Sequence, residues 1–159
     1  MRKAVENAEE LVIMEIRKDI LKASGYKCQQ CGVKKGAICL PNSDTGYTEL
    51  DEFQQEFYRK QGIKLVKIFL RLFNLTDNRF STNKNDYAVL CPLHSQIYIK
   101  ELVKAGRSNK LGKLGAVRIS HIKEVQNFVF FETGKHISFK TAMQLYFRMD
   151  EVMNKRTDL

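Results

Sequence analysis

The stretches Cys28-Gln29-Gln30-Cys31 and Cys91-Pro92-Leu93-His94 decide the fold of this chain, and we call them the first and second knuckle. Each places two metal-ligating side chains within one turn of backbone, so together they supply the four donors of a closed tetrahedral zinc site. Gly32 follows the first knuckle, where the lack of a Cβ eases a tight turn. The alternative is a set of buried thiols with a core histidine. We favour zinc because spacing and flanking residues agree at both ends.

The composition indicates a folded cytoplasmic protein. The chain has 159 residues, of which 43% are hydrophobic and 10% aromatic, enough to build a core. No apolar run reaches the length of a membrane span, and the N-terminal residues lack the apolar region of a signal peptide. In the reducing cytoplasm, cysteines at this spacing indicate a metal site rather than disulfides. The remaining cysteine, Cys39, is predicted to be a small core residue.

The net charge favours a polyanionic partner. The chain has 27 lysines and arginines against 18 acidic residues, a net charge of +9. Such an excess is typical of proteins that bind nucleic acid, and we expect DNA rather than RNA, or a protein–nucleic-acid complex. A generally basic protein and an acidic protein partner are the alternatives. No membrane partner is predicted.

The hydrophobic pattern predicts a mixed helix and strand protein. The predicted elements are a helix over 6–23, a helix over 49–60 capped by Thr48, a strand over 63–73, a strand over 87–90, a helix from Pro92 to about Ala105, a helix over 118–132 and a last helix capped by Ser138. Residues 106–116 are glycine-rich, basic and the least structured by pattern. We therefore divide the chain into a zinc-binding domain over 1–105 and a basic linker with a helical extension over 106–159.

The order of strand, polar loop, second knuckle and helix resembles the HNH endonuclease family. The family pattern is similar to the stretch that runs from Ile68-Phe69-Leu70-Arg71-Leu72-Phe73-Asn74 through Leu90-Cys91-Pro92-Leu93-His94-Ser95. In one subset of the family a structural zinc holds the ββα-metal core. The first part of the sequence pattern of that subset is similar to Ser24-Gly25-Tyr26-Lys27-Cys28-Gln29-Gln30-Cys31-Gly32. The resemblance covers about residues 10–105. It implies an α+β fold, a zinc-bound treble-clef HNH-like core with an N-terminal helix and a C-terminal helical pair.

The catalytic positions implied by the resemblance are degenerate. The histidine that acts as general base falls at Asn74, the middle asparagine at Asp86, and the cation-binding histidine at Ser95. An asparagine accepts no proton at neutral pH, and a hydroxyl is a poor ligand beside imidazole. Asp77 and Asp86 are candidates for holding Mg²⁺ through carboxylate oxygens. The alternative is that both are solvated loop residues.

Basic residues concentrate after the second knuckle, between Lys100 and Lys123. The candidate nucleic-acid contacts are Lys100, Lys104, Arg107, Lys110, Lys113 and Arg118. The resemblance implies that the helix after the last motif lies in or beside a DNA groove. Lysines supply charge to phosphates, and glycines let backbone amides approach them. The alternative is a solvated linker.

The sequence therefore predicts a catalytically degenerate HNH-like zinc protein that binds DNA or a nucleic-acid complex, of the kind that a phage or mobile element encodes. The first alternative is a divergent metal-dependent endonuclease that uses Asp77 and Asp86. The second is a protein-binding inhibitor built on the same scaffold.

Overall fold

The computed structural model describes residues 2–41, 46–76, 78–106 and 117–157. Within these ranges the fold is α+β, with two small antiparallel sheets, which confirms the predicted class. The elements are α1 (Arg2–Ala23), β1 (Ile38–Cys39), α2 (Glu52–Lys60), β2 (Val66–Lys67), β3 (Arg71–Asn74), a 3₁₀ helix (Lys84–Asp86), β4 (Tyr87–Leu90), α3 (Pro92–Lys104), α4 (Ile119–Thr133) and α5 (Phe139–Thr157). No helix in the described part of the chain is long and apolar enough to cross a membrane.

The hairpin of β3 and β4 leads the chain into the second knuckle. It is antiparallel, with Asn74 opposite Tyr87 at the end near the connecting loop. All four residues of β4 are buried. Because side chains alternate across a strand, Tyr87 and Val89 pack against Ile16 and Ile20 of α1, and the other two residues face the main core. The second knuckle therefore begins from a strand that is fixed on both faces.

The prediction of one strand over 63–73 is wrong, because this segment changes partner along its length. Val66–Lys67 pairs with β1, and Arg71–Asn74 pairs with β4. Between them Ile68 is buried, and its amide donates to the carbonyl of Ala37 at 2.9 Å. The apolar pattern indicates that the segment is extended, but it does not indicate which strand each part of the segment pairs with.

Helix α2 begins later than predicted, and its cap is Asp51 rather than Thr48. The Asp51 carboxylate accepts from the amide of Gln54 at 2.8 Å, and the Gln54 side chain accepts from the amide of Asp51 at 3.0 Å. This is a reciprocal capping box. Leu50 stays extended because its amide donates to the carbonyl of Ile38 at 2.9 Å. A tertiary hydrogen bond thus delays the start of the helix.

The C-terminal helices share the main core with the knuckles. Ile122 and Met143, from α4 and α5, are fully buried in the same cluster as Cys28 and Cys91. The predicted cap of α5 is confirmed, since the Ser138 hydroxyl accepts from the amide of Thr141 at 3.1 Å. The division of the chain at residue 105 stays a prediction, and the main core contains residues from both sides of this boundary.

Candidate metal centre

The four predicted ligands come together in space. The ligand atoms of Cys28, Cys31, Cys91 and His94 all lie within 4.8 Å of one another, and this is the one group of its kind among the described residues. The sulfurs of Cys31 and Cys91 are 3.8 Å apart, and Nδ1 of His94 lies 3.1 Å from the Cys91 sulfur and 3.9 Å from the Cys28 sulfur. Bond lengths of about 2.3 Å to sulfur and about 2.0 Å to nitrogen place tetrahedral ligands about 3.8 Å (S···S) and about 3.5 Å (S···N) apart. The group can hold one metal ion, and its donor set suits zinc.

The first knuckle is fixed by hydrogen bonds to its own hairpin and to β4. The amide of Cys28 donates to the carbonyl of Val33 at 2.9 Å, which closes the hairpin. The amide of Gln29 donates to the carbonyl of Val89 at 2.9 Å, and the Gln29 side chain accepts from the amide of Val89 at 3.0 Å. Because β4 runs directly into the second knuckle, these bonds hold the two ligand pairs in register. Gly32 has φ of 76°, in the left-handed region that favours glycine.

The second knuckle is the start of α3. Cys91 is the N-cap of this helix, and its sulfur accepts from the amide of His94 at 3.5 Å. Pro92 occupies the first helical turn, where a missing amide costs nothing. The His94 ring is buried and packs edge-on against Phe139, with ring centroids 5.4 Å apart. The prediction that His94 lies in the first turn beside the cysteines is confirmed.

The protonation of the cluster depends on its hydrogen bonds. The pKa of the Cys28 thiol is lowered, chiefly by its hydrogen bonding with Cys31 and Cys91. The pKa of the Cys91 thiol is raised, chiefly by its hydrogen bonds with Cys28 and Cys31. Burial lowers the pKa of His94, but hydrogen bonds to the Cys28 and Cys31 sulfurs raise it to about 9. Metal ligands bind in their deprotonated form, so a bound cation would displace the protons that the cluster otherwise shares.

Cys39 lies outside the metal-ligating group. It is fully buried in the main core, as predicted, and burial raises the pKa of its thiol. A buried thiol in apolar surroundings is chemically inert. Three of the four cysteines thus belong to the candidate metal centre, and Cys39 packs in the main core.

Asn74 and Ser95, two positions that the resemblance predicts to be degenerate catalytic residues, have side chains bonded to neighbouring residues. The Asn74 side chain accepts from the amide and hydroxyl of Thr76, both at 2.9 Å, and donates to the carbonyl of Asn78 at 2.9 Å. Ser95 is fully buried, and its hydroxyl donates to the carbonyl of Pro92 at 2.9 Å. Both side chains therefore stabilise the turns on which they lie.

Asp86 forms hydrogen bonds with two partners. Its carboxylate accepts from the Ser81 hydroxyl at 2.6 Å and from the Arg118 guanidinium at 3.1 Å. Asp77, the other candidate carboxylate, lies outside the described residues. Among the residues that are described, no second group of three metal-ligating side chains converges.

The predicted nucleic-acid contacts have different surroundings. Lys104 forms an ion pair with Glu101 at 3.8 Å, and Arg118 forms one with Asp86. Lys100 is exposed and lines a groove together with His136 and other residues. Arg107, Lys110 and Lys113 lie outside the described residues.

One buried carboxylate, that of Glu101, was not predicted from the sequence. Glu101 is only 3% exposed, and it accepts from the Gln144 side chain at 3.3 Å in addition to its ion pair with Lys104. Its position three residues after Tyr98 and seven after His94 places it on the inward face of α3. That spacing was the available signal, and the charge of the residue obscured it.

The number of protein ligands indicates whether the candidate metal centre is structural or catalytic. Four protein ligands leave no open position for water or substrate, so this arrangement suits a structural ion rather than a catalytic one. Comparison of the chain with protein-family models, with curated proteins and with solved structures finds no match. The candidate metal centre therefore rests on its own geometry.

Proposed function

We propose that this chain is a zinc-stabilised, HNH-like DNA-binding protein of the treble-clef type that has no nuclease activity of its own. The observation that carries the proposal is the convergence of four ligand atoms within 4.8 Å from two separate knuckles. The second knuckle caps α3 directly after the β3–β4 hairpin. A knuckle, a hairpin and a helix around one ion are the parts of a treble clef. The order β3, β4, α3 is also the order of a ββα-metal core.

The absence of nuclease activity is supported by the bonding of the degenerate positions. Asn74 and Ser95 hold local turns, and Asp86 is bound to Arg118 and Ser81. Loss of a general base alone costs about 10²–10⁴ in rate. A scaffold that keeps its structural ligands and uses its catalytic positions for local hydrogen bonds suits binding rather than cleavage.

DNA binding is supported by the charge of the chain, which is +9 at neutral pH. A protein that neutralises phosphates releases condensed counterions, so its affinity for DNA falls steeply with salt. An apolar protein interface lacks this dependence. Salt sensitivity thus separates the DNA-binding function from the inhibitor function.

Two assays test the proposal. Purified zinc-loaded protein should bind a duplex oligonucleotide at low salt, with affinity lost steeply as salt rises, and should leave supercoiled plasmid intact with Mg²⁺, Mn²⁺ or Ni²⁺. Metal-dependent nicking that disappears in Asp86→Ala would favour the divergent endonuclease instead. Failure to bind any nucleic acid at low salt would refute the proposal and favour a protein partner.

A further inference from the structure

A groove of about 560 Å³ lies against the first knuckle and brings together three lysines from distant parts of the sequence. Lys27 precedes the knuckle, Lys84 belongs to the 3₁₀ helix, and Lys123 belongs to α4. We call this surface the lysine groove. Because three separate elements contribute one lysine each, the cluster results from the tertiary fold and not from a basic stretch of sequence.

The three lysines of the lysine groove are not paired with a carboxylate of any described residue. All three lysines are exposed. None of the described residues that line the groove is acidic. Ser24, Asn85 and Ser120 add neutral polar groups to the same lining. In contrast, Lys104 and Arg118 of the predicted basic stretch are paired with carboxylates.

Two contacts hold the parts of the lysine groove in place. The ion pair between Asp86 and Arg118, at 3.1 Å, joins the 3₁₀ helix to the start of α4. The Gln30 side chain donates to the Gln126 side chain at 3.0 Å, which joins the first knuckle to the middle of α4. The elements that carry the lysines are therefore positioned before any ligand arrives, which lowers the entropic cost of binding.

We propose that the lysine groove holds the sugar–phosphate backbone of a nucleic acid, with Lys27, Lys84 and Lys123 contacting phosphates. The inference rests on the proposed function, since it locates where the nucleic acid lies. Lysine is a point charge without the planar fork that arginine uses for bidentate recognition of guanine. Phosphate contacts position a strand but do not read its bases. Binding through this groove is therefore independent of sequence.

The metal centre and the lysine groove are linked structurally. Cys28 and Cys31, two of the four ligands, are also lining residues of the groove. A bound ion would fix the backbone that carries Lys27, so removal of the ion should disorganise the groove without removing a charged contact. Nucleic-acid binding should then require the metal although the metal does not touch the nucleic acid.

The test compares two variants that lose the same charge. The groove variant carries Lys27→Gln, Lys84→Gln and Lys123→Gln. The control variant carries Lys18→Gln, Lys64→Gln and Lys67→Gln, at exposed lysines that do not line the groove. Fluorescence anisotropy measures the Kd of zinc-loaded protein for two duplex oligonucleotides of unrelated sequence over a range of KCl concentrations. Zinc content and circular dichroism establish that each variant is folded.

We expect the slope of log Kd against log salt to fall by roughly 3 in the groove variant and by less than about 1 in the control, since each lost phosphate contact removes about 0.9. Both oligonucleotides should bind equally. Equal effects of the two variants, a strong preference for one sequence, or tighter binding to anionic vesicles than to DNA would overturn the inference. If the wild-type protein still binds DNA in those cases, the proposed function is retained. If the wild-type protein binds no nucleic acid, both the proposed function and this inference are refuted.

If the triple variant does not fold, Lys123→Gln alone should lower the slope by about 1, and an unchanged slope overturns the inference.

Discussion

At the scale of single residues, the four cysteines make unequal contributions that substitution can separate. Cys91→Ala removes one ligand of the cluster, and structural zinc sites supply about 10–16 kcal/mol of apparent binding free energy, comparable to the whole stability of a domain. We expect this variant to lose its metal and its cooperative unfolding. Cys39→Ala, the matched control, should keep one zinc per chain because Cys39 lies outside the cluster. Metal analysis and circular dichroism measure both effects, and a folded, metal-free Cys91→Ala protein would contradict the structural role of the ion.

Gly32 allows a prediction about backbone strain alone. Its φ is 76°, and a Cβ built there meets no atom within 4 Å. Gly32→Ala should therefore destabilise the protein through its backbone conformation, by about 1–2 kcal/mol. Gly32→Asn should cost less, because asparagine tolerates the left-handed region better. Urea denaturation of the zinc-loaded proteins measures the difference, and equal stabilities for glycine and alanine would refute this explanation.

At the scale of elements, a single side chain connects α3 to the segment before α4. The Tyr98 hydroxyl donates to the carbonyl of Val117 at 2.8 Å and accepts from its amide at 3.2 Å. Both residues are buried. Tyr98→Phe leaves two buried backbone groups without a partner, so we expect a loss of about 1–3 kcal/mol in the free energy of unfolding. Tyr26→Phe, at an exposed tyrosine, should change it little, and similar losses in both variants would show that the Val117 bonds are not responsible.

The same contact predicts a dependence on alkaline pH. Burial raises the pKa of Tyr98 to about 12 in the folded state, from an ordinary value of 10.0. The folded state thus keeps this proton more firmly than the unfolded state does, and the resulting stability is present in full below pH 10 and is lost as pH rises through 12. The stability of the wild-type protein should therefore fall more steeply over this window than that of Tyr98→Phe. Parallel pH profiles would argue against a buried, protonated Tyr98.

The elements that the sequence predicted well are those specified by neighbouring residues. Cys91, Pro92 and His94 define a helix start and two ligands within four positions, so the local pattern was sufficient. The strand over 63–73 and the start of α2 were wrong because partners distant in sequence decide them. The charge run along the sequence extends from Lys100 to Lys123 and so contains one lysine of the lysine groove, whereas Lys27 and Lys84 join Lys123 only after folding. Local chemistry thus identified the candidate metal ligands, and the tertiary structure was needed to locate the lysine groove.

At the scale of the whole molecule, the main core joins the metal centre to the C-terminal helices. Phe139 packs against the His94 ring, and Ile122 and Met143 are buried in the cluster that contains Cys28. Burial of apolar side chains contributes about 1.5–3 kcal/mol for each large residue. The helices after residue 116 therefore cover one side of the metal centre rather than forming an independent arm.

A truncation tests this dependence. A chain that ends at Ala105 keeps all four metal ligands but exposes the apolar side chains that face α4 and α5. We expect it to bind zinc more weakly and to lack cooperative thermal unfolding, because folding free energy and metal binding are coupled and its core would be incomplete. The 159-residue chain, loaded with zinc under the same conditions, is the control. Calorimetry of both chains decides the matter, and a cooperative transition in the shorter one would establish 1–105 as a domain that folds alone.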